Sequence, residues 1–313
     1  MMLSNEDKIT GYFADCRELR SDVFPIGIGD DMAQMRTGSD SSVLVSTDML
    51  LDGSHFDSSL HSLEEIGYKA AAVSISDAAA MASVPLGLVA AVGLPAGAGE
   101  KELRELHAGL LRACDECGCG LVGGDITSWR AGGKLTLCTS VFSTPGKTDP
   151  IRRNGAKEGD LICVTGSLGG SLAGKHISFT PRVQEALWIA ENLAPTSMID
   201  ITDGLSNDLC RICEASGAGA VIEAKEIPLS AEASAKANPL HSALCDGEDF
   251  ELLFTIPRER ATDINKARFK ITSIGEITAA GVMKIELAGG GSMELAPCGY
   301  DHLSQSTETG QNQ

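Results

Sequence analysis

Short blocks of apolar residues alternate with polar turns along the chain, and their spacing predicts both strands and helices. In the first half, β-branched and aliphatic runs predict strands over residues 43–52, 86–94, 119–125 and 135–143. Apolar residues at helical spacing predict helices over 63–82 and 100–117, with a short helix over 7–12. Ser62 and Glu65 form a capping-box pattern, which predicts that the long helix begins there.

The second half shows the same mixture of strands and helices. Its patterns predict strands over 160–166 and 251–256, a segment 198–205 leading into a helix over 206–215, and a hairpin over 284–295. The turn-rich residues 144–160 predict a domain boundary, which suits a chain of 313 residues. We therefore predict an α/β or α+β fold with domains over 1–147 and 148–304 and a disordered tail over 305–313.

The charge of the chain restricts its partners. It has 25 basic and 43 acidic residues, a formal charge of −18, so neither nucleic acid nor an anionic membrane surface is an expected partner. A phosphorylated ligand would need cations such as Mg²⁺ to mediate its binding. The first ten residues lack an apolar core and no apolar run is long enough for a membrane span, so we expect a soluble, cytoplasmic protein.

The positions of the aspartates are the most informative chemical feature. They follow apolar strands or lie inside small-residue helices; they are Asp30, Asp31, Asp48, Asp77, Asp125, Asp200 and Asp203. Because buried carboxylates need partners and few basic residues lie near these motifs, bound Mg²⁺ ions are the expected partners. The alternative is that Asp and Gly simply form turns after strands. Asp77 argues against that alternative, since it lies in the middle of a predicted helix.

Other motifs give weaker signals. Residues 169–176 resemble a phosphate-binding loop, but His176 occupies the position of the required hydroxyl, so we do not expect one. The cysteines 114, 117 and 119, and the pair 210 and 213, have spacings compatible with zinc, yet they lie among apolar residues where thiols can simply pack. With ten cysteines in a long chain, no disulfide framework is expected.

Six strings, taken in order, resemble one enzyme family: GIGDDMAQM, STDMLLDGSHF, SISDAAAM, LVGGDIT, IDITDGLSNDL and GEDFELLFTI. They are similar to the thiamine-monophosphate kinases, within the superfamily that includes aminoimidazole-ribonucleotide synthetase, selenophosphate synthetase and a hydrogenase-maturation enzyme. The resemblance covers nearly the whole chain, up to the closing GYDHL at residues 299–303. It implies two domains, each a mixed sheet with helices on one side.

The resemblance also implies an activity and a site. The activity is ATP-dependent phosphorylation of thiamine monophosphate to thiamine diphosphate, by direct in-line transfer with several Mg²⁺ ions. The implied metal shell is Asp31, Ser46, Thr47, Asp48, Asp77, Asp125, Asp200 and Asp203. The implied ATP contacts are Gly124, Asp125, Arg153 and Thr202, and the implied thiamine contacts are His55, Glu248 and Tyr300. No residue is assigned as a nucleophile or general base, because the acceptor phosphate is already ionised.

The family pattern also implies a homodimer that pairs through the N-terminal sheets, with the N-terminal domain binding metal and ATP. Thr202 replaces the usual Ser, Tyr300 replaces the usual Trp, and Lys175 replaces an apolar residue. Tyr300 keeps an aromatic face for the thiamine cation. Two alternatives stay open: a relative with another phosphate acceptor, and a metal-binding or nucleotide-sensing module without enzymatic activity.

Overall fold

The computed structural model describes residues 4–16, 19–279 and 281–303, so the predicted tail lies outside the described residues. Its first half contains α1 (Asn5–Asp15), β1 (Ala33–Arg36), β2 (Ser42–Leu51), α2 (Leu63–Ala80), β3 (Ser83–Leu94), α3 (Glu100–Glu116), β4 (Gly120–Ser128) and β5 (Thr136–Pro145). Its second half contains β6 (Leu161–Thr165), α4 (Lys175–Ser178), α5 (Val183–Leu193), β7 (Ser197–Asp200), α6 (Leu205–Ser216), β8 (Gly219–Glu223), α7 (Ala231–Ser234), α8 (Pro239–Cys245), β9 (Leu252–Ile256), β10 (Ile271–Thr278), β11 (Met283–Glu286) and β12 (Ser292–Glu294). Short 3₁₀ segments cover Ser171–Ala173 and Arg258–Lys266.

Each half is built on one mixed sheet. The first has the strand order β1-β2-β5-β3-β4, in which the β3–β4 pair is parallel and the other pairs are antiparallel. The second has the order β12-β11-β8-β10-β6-β9-β7, in which the β11–β8 pair is parallel. The predicted mixed α/β fold with two sheets is confirmed.

Helix α2 lies between the two halves. The capping box at its start is present, as the sequence predicts, and its alanines 70–72 and 78–80 are fully buried. It approaches α3 very closely at Gly67, where a Cβ would lie only 2.1 Å from the Leu106 carbonyl oxygen. Glycine is therefore required at this position. It also contacts α4, α5 and β7 of the second half. A helix made of small residues therefore brings its few polar side chains between the two sheets.

The two cores share the second sheet. One core joins α2 and α3 to the first sheet and to α5, and it includes Cys163 of β6 and Phe254 of β9. The other core lies against the opposite face of the second sheet and includes Ile162, Leu253 and residues of α6. The second sheet is thus covered on both of its faces, whereas the first sheet leaves one face open.

The observed elements differ from the predicted ones mainly at short strands. Strands β1, β8 and β10 and helices α7 and α8 were not predicted, and β3 begins at Ser83 rather than at residue 86. The register of β3 shifts between Pro85 and Gly87, since proline has no N–H to give to the ladder. The expectation of no disulfide is corrected at one pair, Cys245–Cys298. None of the described helices is long and apolar enough to cross a membrane.

Candidate active site

A cleft of about 400 Å³ opens between the two halves, beside α2. It collects side chains from β2, α2, the end of β7, the loop before β9 and the segment that follows β12. Most of the predicted site residues line it: Asp31, Thr47, Asp48, His55, Asp77, Arg153, Asp200, Thr202, Asp203, Glu248 and Tyr300. Residues that are distant in sequence thus meet at a single place.

Three carboxylates form the centre of the cleft. Oxygen atoms of Asp31, Asp77 and Asp200 all lie within 4.8 Å of one another. Burial raises the pKa of Asp77 well above its usual value, and the carboxylates of Asp48, Asp200 and Asp31 raise it further. Burial and the Asp31 carboxylate also raise the pKa of Asp200, against the hydrogen bond from Ser76. The three groups therefore repel one another strongly unless a cation lies among them.

Hydroxyl groups and one guanidinium orient this cluster. The α2 hydroxyls of Ser74 and Ser76 donate hydrogen bonds to Asp48 (2.6 Å) and Asp200 (2.5 Å). Arg153 donates to both oxygens of Asp31, at 2.6 and 3.3 Å. The polar positions of one helix and one linker arginine thus set the directions of the carboxylates.

The donor set fits a hard divalent cation. All the donor atoms of the cluster are carboxylate oxygens, which are the ligands that Mg²⁺ prefers. The Ser46 hydroxyl oxygen, which lies beside Asp77, is buried and makes no regular hydrogen bond to any part of the chain that the structure describes. Beside three carboxylates that repel one another, this hydroxyl oxygen is a further ligand that a divalent cation could bind.

The other end of the cleft is aromatic and less charged. The ring of His302 lies 5.2 Å from that of His55 and 4.7 Å from that of Tyr300. The Leu51 N–H donates to Nδ1 of His55, and burial, with His302 and Lys69 nearby, lowers the pKa of His55 to about 4. His55 is therefore a neutral ring at ordinary pH, which suits contact with a cationic heterocycle better than a second positive charge would.

Two predicted residues lie elsewhere. Gly124 and Asp125 are exposed on β4, beside a separate groove of about 810 Å³ formed with α3. In the register of the sheet, Asp125 of β4 pairs with Ala91 of β3, which pairs with Cys138 of β5. Gly124 pairs with Ala90, which pairs with Thr139, and Thr139 pairs with Asp48 of β2. Asp125 is therefore on the opposite face of the sheet from Asp48, and its part in metal or ATP binding stays a prediction.

The hydroxyl of Thr47 also points away from the carboxylates. It donates to the Thr139 carbonyl oxygen at 3.1 Å and accepts from Ser140 at 2.9 Å. Thr47 and Ser140 are paired in the ladder, so both side chains share the face opposite to that of Asp48. Its place in the metal shell likewise stays a prediction.

The sequence analysis missed several residues at the cleft: Glu6, Lys69, Ser74, Ser76 and His302. Ser74 and Ser76 could have been found from the sequence, because they are hydroxyl residues within three positions of Asp77 in an otherwise apolar, alanine-rich helix. Lys69 could not be assigned, since its partner Glu248 is 179 positions away in the sequence.

The two weaker motifs take structural roles. The N–H groups of Gly169 and Gly170 donate to the carboxylates of Asp249 and Asp246, so they are not free to bind a phosphate. Lys175 of this loop pairs with Glu251 at 2.7 Å. In the region that the structure covers, the sulfurs of Cys114, Cys117 and Cys119 do not form a three-ligand metal cluster.

Comparison with known proteins agrees with the fold and the cleft. Residues 29–144 match the family model for the AIR synthase related protein, N-terminal domain, and residues 157–288 match its C-terminal domain. The thiamine-monophosphate kinase of Rhodopirellula baltica is 35% identical over 293 residues, which cover 88% of this chain and 91% of that protein. The thiamine-monophosphate kinase of Escherichia coli strain K12 is 33% identical, with 95% and 97% covered.

Solved structures give the same result. A structure described as AaThiL complexed with AMPPCP and TMP matches with a TM-score of 0.80 and 27% identity, covering 96% of this chain and 99% of that one. The thiamine-monophosphate kinase of Stenotrophomonas maltophilia K279a matches with a TM-score of 0.71 and 27% identity, covering 91% and 95%.

Both halves of the chain match its two family models, so the chain belongs to the AIR synthase-related family. Within that family the chain belongs to the thiamine-monophosphate kinases, and it is a kinase. The resemblance stated from the six sequence strings is confirmed.

Proposed function

We propose that the chain transfers the γ-phosphoryl group of ATP to thiamine monophosphate and releases thiamine diphosphate and ADP. The observation that supports this most directly is that one cleft holds both the carboxylate cluster and the aromatic end with His55, Glu248 and Tyr300. The structure described as a complex with AMPPCP and TMP, which shares this fold, supports the same pair of substrates.

Asp31, Asp77 and Asp200 would hold Mg²⁺, with Asp48, Asp203 and the Ser46 hydroxyl beside them. When bound, Mg²⁺ neutralises the charge of the polyphosphate, which an acidic cleft would otherwise repel. Arg153 lines the cleft and now pairs with Asp31, so it is suited to bind a phosphate once a metal takes its place at Asp31.

The chain's own residues then position two anions for direct transfer. The acceptor oxygen of thiamine monophosphate is ionised at neutral pH, so no general base has to remove a proton. Orientation and charge neutralisation account for the catalysis of such a step. We therefore propose in-line transfer without a phosphorylated enzyme.

We also propose that two copies pair through the open face of the first sheet. Large apolar side chains of this face are exposed; they include Met49, Leu51, Val84 and Phe142. Exposed apolar side chains that share one face of a sheet are typical of an interface. Since Asp125 lies on this face, it can contribute to a nucleotide site only if a second copy completes that site.

The test is an assay of purified enzyme with ATP, Mg²⁺ and thiamine monophosphate, in which thiamine diphosphate and ADP are both measured. Equal amounts of the two products are expected, with no product from unphosphorylated thiamine. Turnover of ATP with another phosphorylated acceptor, but none with thiamine monophosphate, would instead favour the relative with a different acceptor.

A further inference from the structure

Lys69 is a lysine in the middle of helix α2, and its side chain is only 1% exposed. Its Nζ donates to both carboxylate oxygens of Glu248, each at 2.9 Å, and to the carbonyl oxygen of His55 at 2.5 Å. His55 belongs to the first half and Glu248 to the second. One ammonium group therefore joins the two halves of the molecule at the aromatic end of the cleft.

The backbone around Glu248 is unusual. Glu248 has φ +53° and Phe250 has φ +49°, a left-handed conformation that residues other than glycine rarely adopt. Main-chain bonds hold the loop: the Glu248 N–H donates to the Thr202 carbonyl oxygen at 2.6 Å, and the Phe250 N–H donates to that of Ile201 at 2.9 Å. Strained backbone of this kind is concentrated at functional sites, where neighbouring contacts hold it in place.

The charge balance of the cleft leaves Lys69 a specific role. In the part of the chain that the structure describes, the basic side chains that line the cleft are those of Lys69 and Arg153. Arg153 pairs with Asp31 at the end of the cleft that holds the carboxylate cluster. Glu248 is mostly buried, so without Lys69 its carboxylate would lose the partner that keeps it charged and directed.

We propose that Lys69 is a positioning residue for the acceptor: it holds the Glu248 carboxylate and the His55 segment in the arrangement that binds the thiamine portion. This proposal rests on the proposed function for the identity of the acceptor. Lys69 acts through Glu248 and His55, and the nucleotide end of the cleft is independent of it.

The test compares Lys69→Met, Glu248→Gln and the double variant. Each is expected to raise KM for thiamine monophosphate by roughly tenfold, with KM for ATP within about twofold of the wild type, because only uniform binding of one substrate is lost. Because Lys69 acts in part through Glu248, the effects of the two single changes on this KM are less than additive in the double variant. The double variant also leaves no unpaired buried charge, so it is the form least affected by misfolding.

Lys175→Met is the matched control. Lys175 also pairs with a buried glutamate, Glu251, but Arg182 remains bound to Glu251 at 2.8 Å and Lys175 does not line the cleft. KM for thiamine monophosphate should therefore be unchanged in this variant.

A readout without substrate separates this proposal from the proposed function. In Lys69→Met, amide hydrogen exchange at Glu248 and Phe250 should become faster, while exchange in α6 stays the same. Unchanged exchange there, an unchanged KM for thiamine monophosphate, or additive effects in the double variant would each overturn the proposal. A wild-type enzyme that ignores thiamine monophosphate would instead overturn the proposed function.

Discussion

At the scale of single residues, the cleft places carboxylates where they are unfavourable without a cation. Asp200 is 2% exposed and Asp31 pairs with Arg153, while Asp77 lies half-buried beside both with the Ser46 hydroxyl facing it. Burial raises the pKa of Asp48 as well, against the hydrogen bond from Ser74. These carboxylates therefore lower the stability of the folded chain, and binding of the proposed Mg²⁺ would offset that cost.

Asp48→Asn and Asp203→Asn should each lower kcat by roughly a hundredfold, since each removes one negative charge from the metal shell with little change of shape. Both variants should fold. The amide in Asp48→Asn keeps an oxygen that can accept from the Ser74 hydroxyl, and without the Asp203 carboxylate the guanidinium of Arg211 still has Asp208 at 2.7 Å and Asp7 at 3.0 Å. The measurements are kcat as a function of Mg²⁺ concentration and thermal unfolding. Near-normal turnover with unchanged Mg²⁺ dependence would indicate that both residues only form turns and do not bind a metal.

At the scale of elements, helix α2 joins the two sheets and brings Lys69 and Asp77 to the cleft, and its buried Ser74 and Ser76 hydroxyls donate to Asp48 and Asp200. The C-terminal segment is the second such element. The disulfide between Cys245, at the end of α8, and Cys298 connects the loop that carries Glu248 to the segment that carries Tyr300. Both walls of the aromatic end are thereby held by one covalent bond.

Reduction of this disulfide should lower the free energy of unfolding by about 2–4 kcal/mol, because the bond closes a long loop in the unfolded chain. The two cysteines are 53 positions apart. The measurement is urea unfolding with and without a reductant. A variant with Cys245→Ser and Cys298→Ser should show no effect of the reductant, whereas Cys16→Ser, at an exposed free cysteine, should behave like the wild type. If the wild-type protein, denatured in urea without a reductant, has ten free thiols, the bond does not form.

The elements also show how far the sequence predicts the fold. Long strands with a clear apolar pattern, such as β2 and β5, are predicted within a few residues, and the capping box gives the start of α2. Strand β1 has four residues, too few to show a period, and β10 has a register shift near Gly275 that interrupts its alternation. The carboxylates are found because each is in a local motif, whereas the contact of Lys69 with Glu248 depends on the tertiary fold.

At the scale of the whole molecule, the first sheet leaves one face open, and Asp125 lies on that face, away from the carboxylate cluster. A homodimer is the arrangement that would give Asp125 a role in catalysis. An isologous pairing would bring the same face of each copy together.

Mixing two inactive variants tests this arrangement. If Asp125 completes the site of the partner, then Asp125→Asn and Asp77→Asn are both inactive alone, and dimers formed from both have one intact site. A mixture refolded together should recover about a quarter of wild-type activity, since half of the dimers are mixed. Gel filtration checks that dimers form. No recovery, with mixed dimers present, would assign Asp125 to the site of its own chain, whereas an Asp125→Asn variant that is active alone would assign Asp125 to no site.

The central claim is that a carboxylate cluster holds the metal through which the cleft binds ATP, and calorimetry of ATP binding tests it most directly. With Mg²⁺ present, the wild type should bind ATP, and Asp77→Asn should bind it much more weakly. With excess EDTA, binding should disappear, because the acidic cleft repels an unneutralised polyphosphate. Equal affinity for ATP with Mg²⁺ and with EDTA would contradict the account.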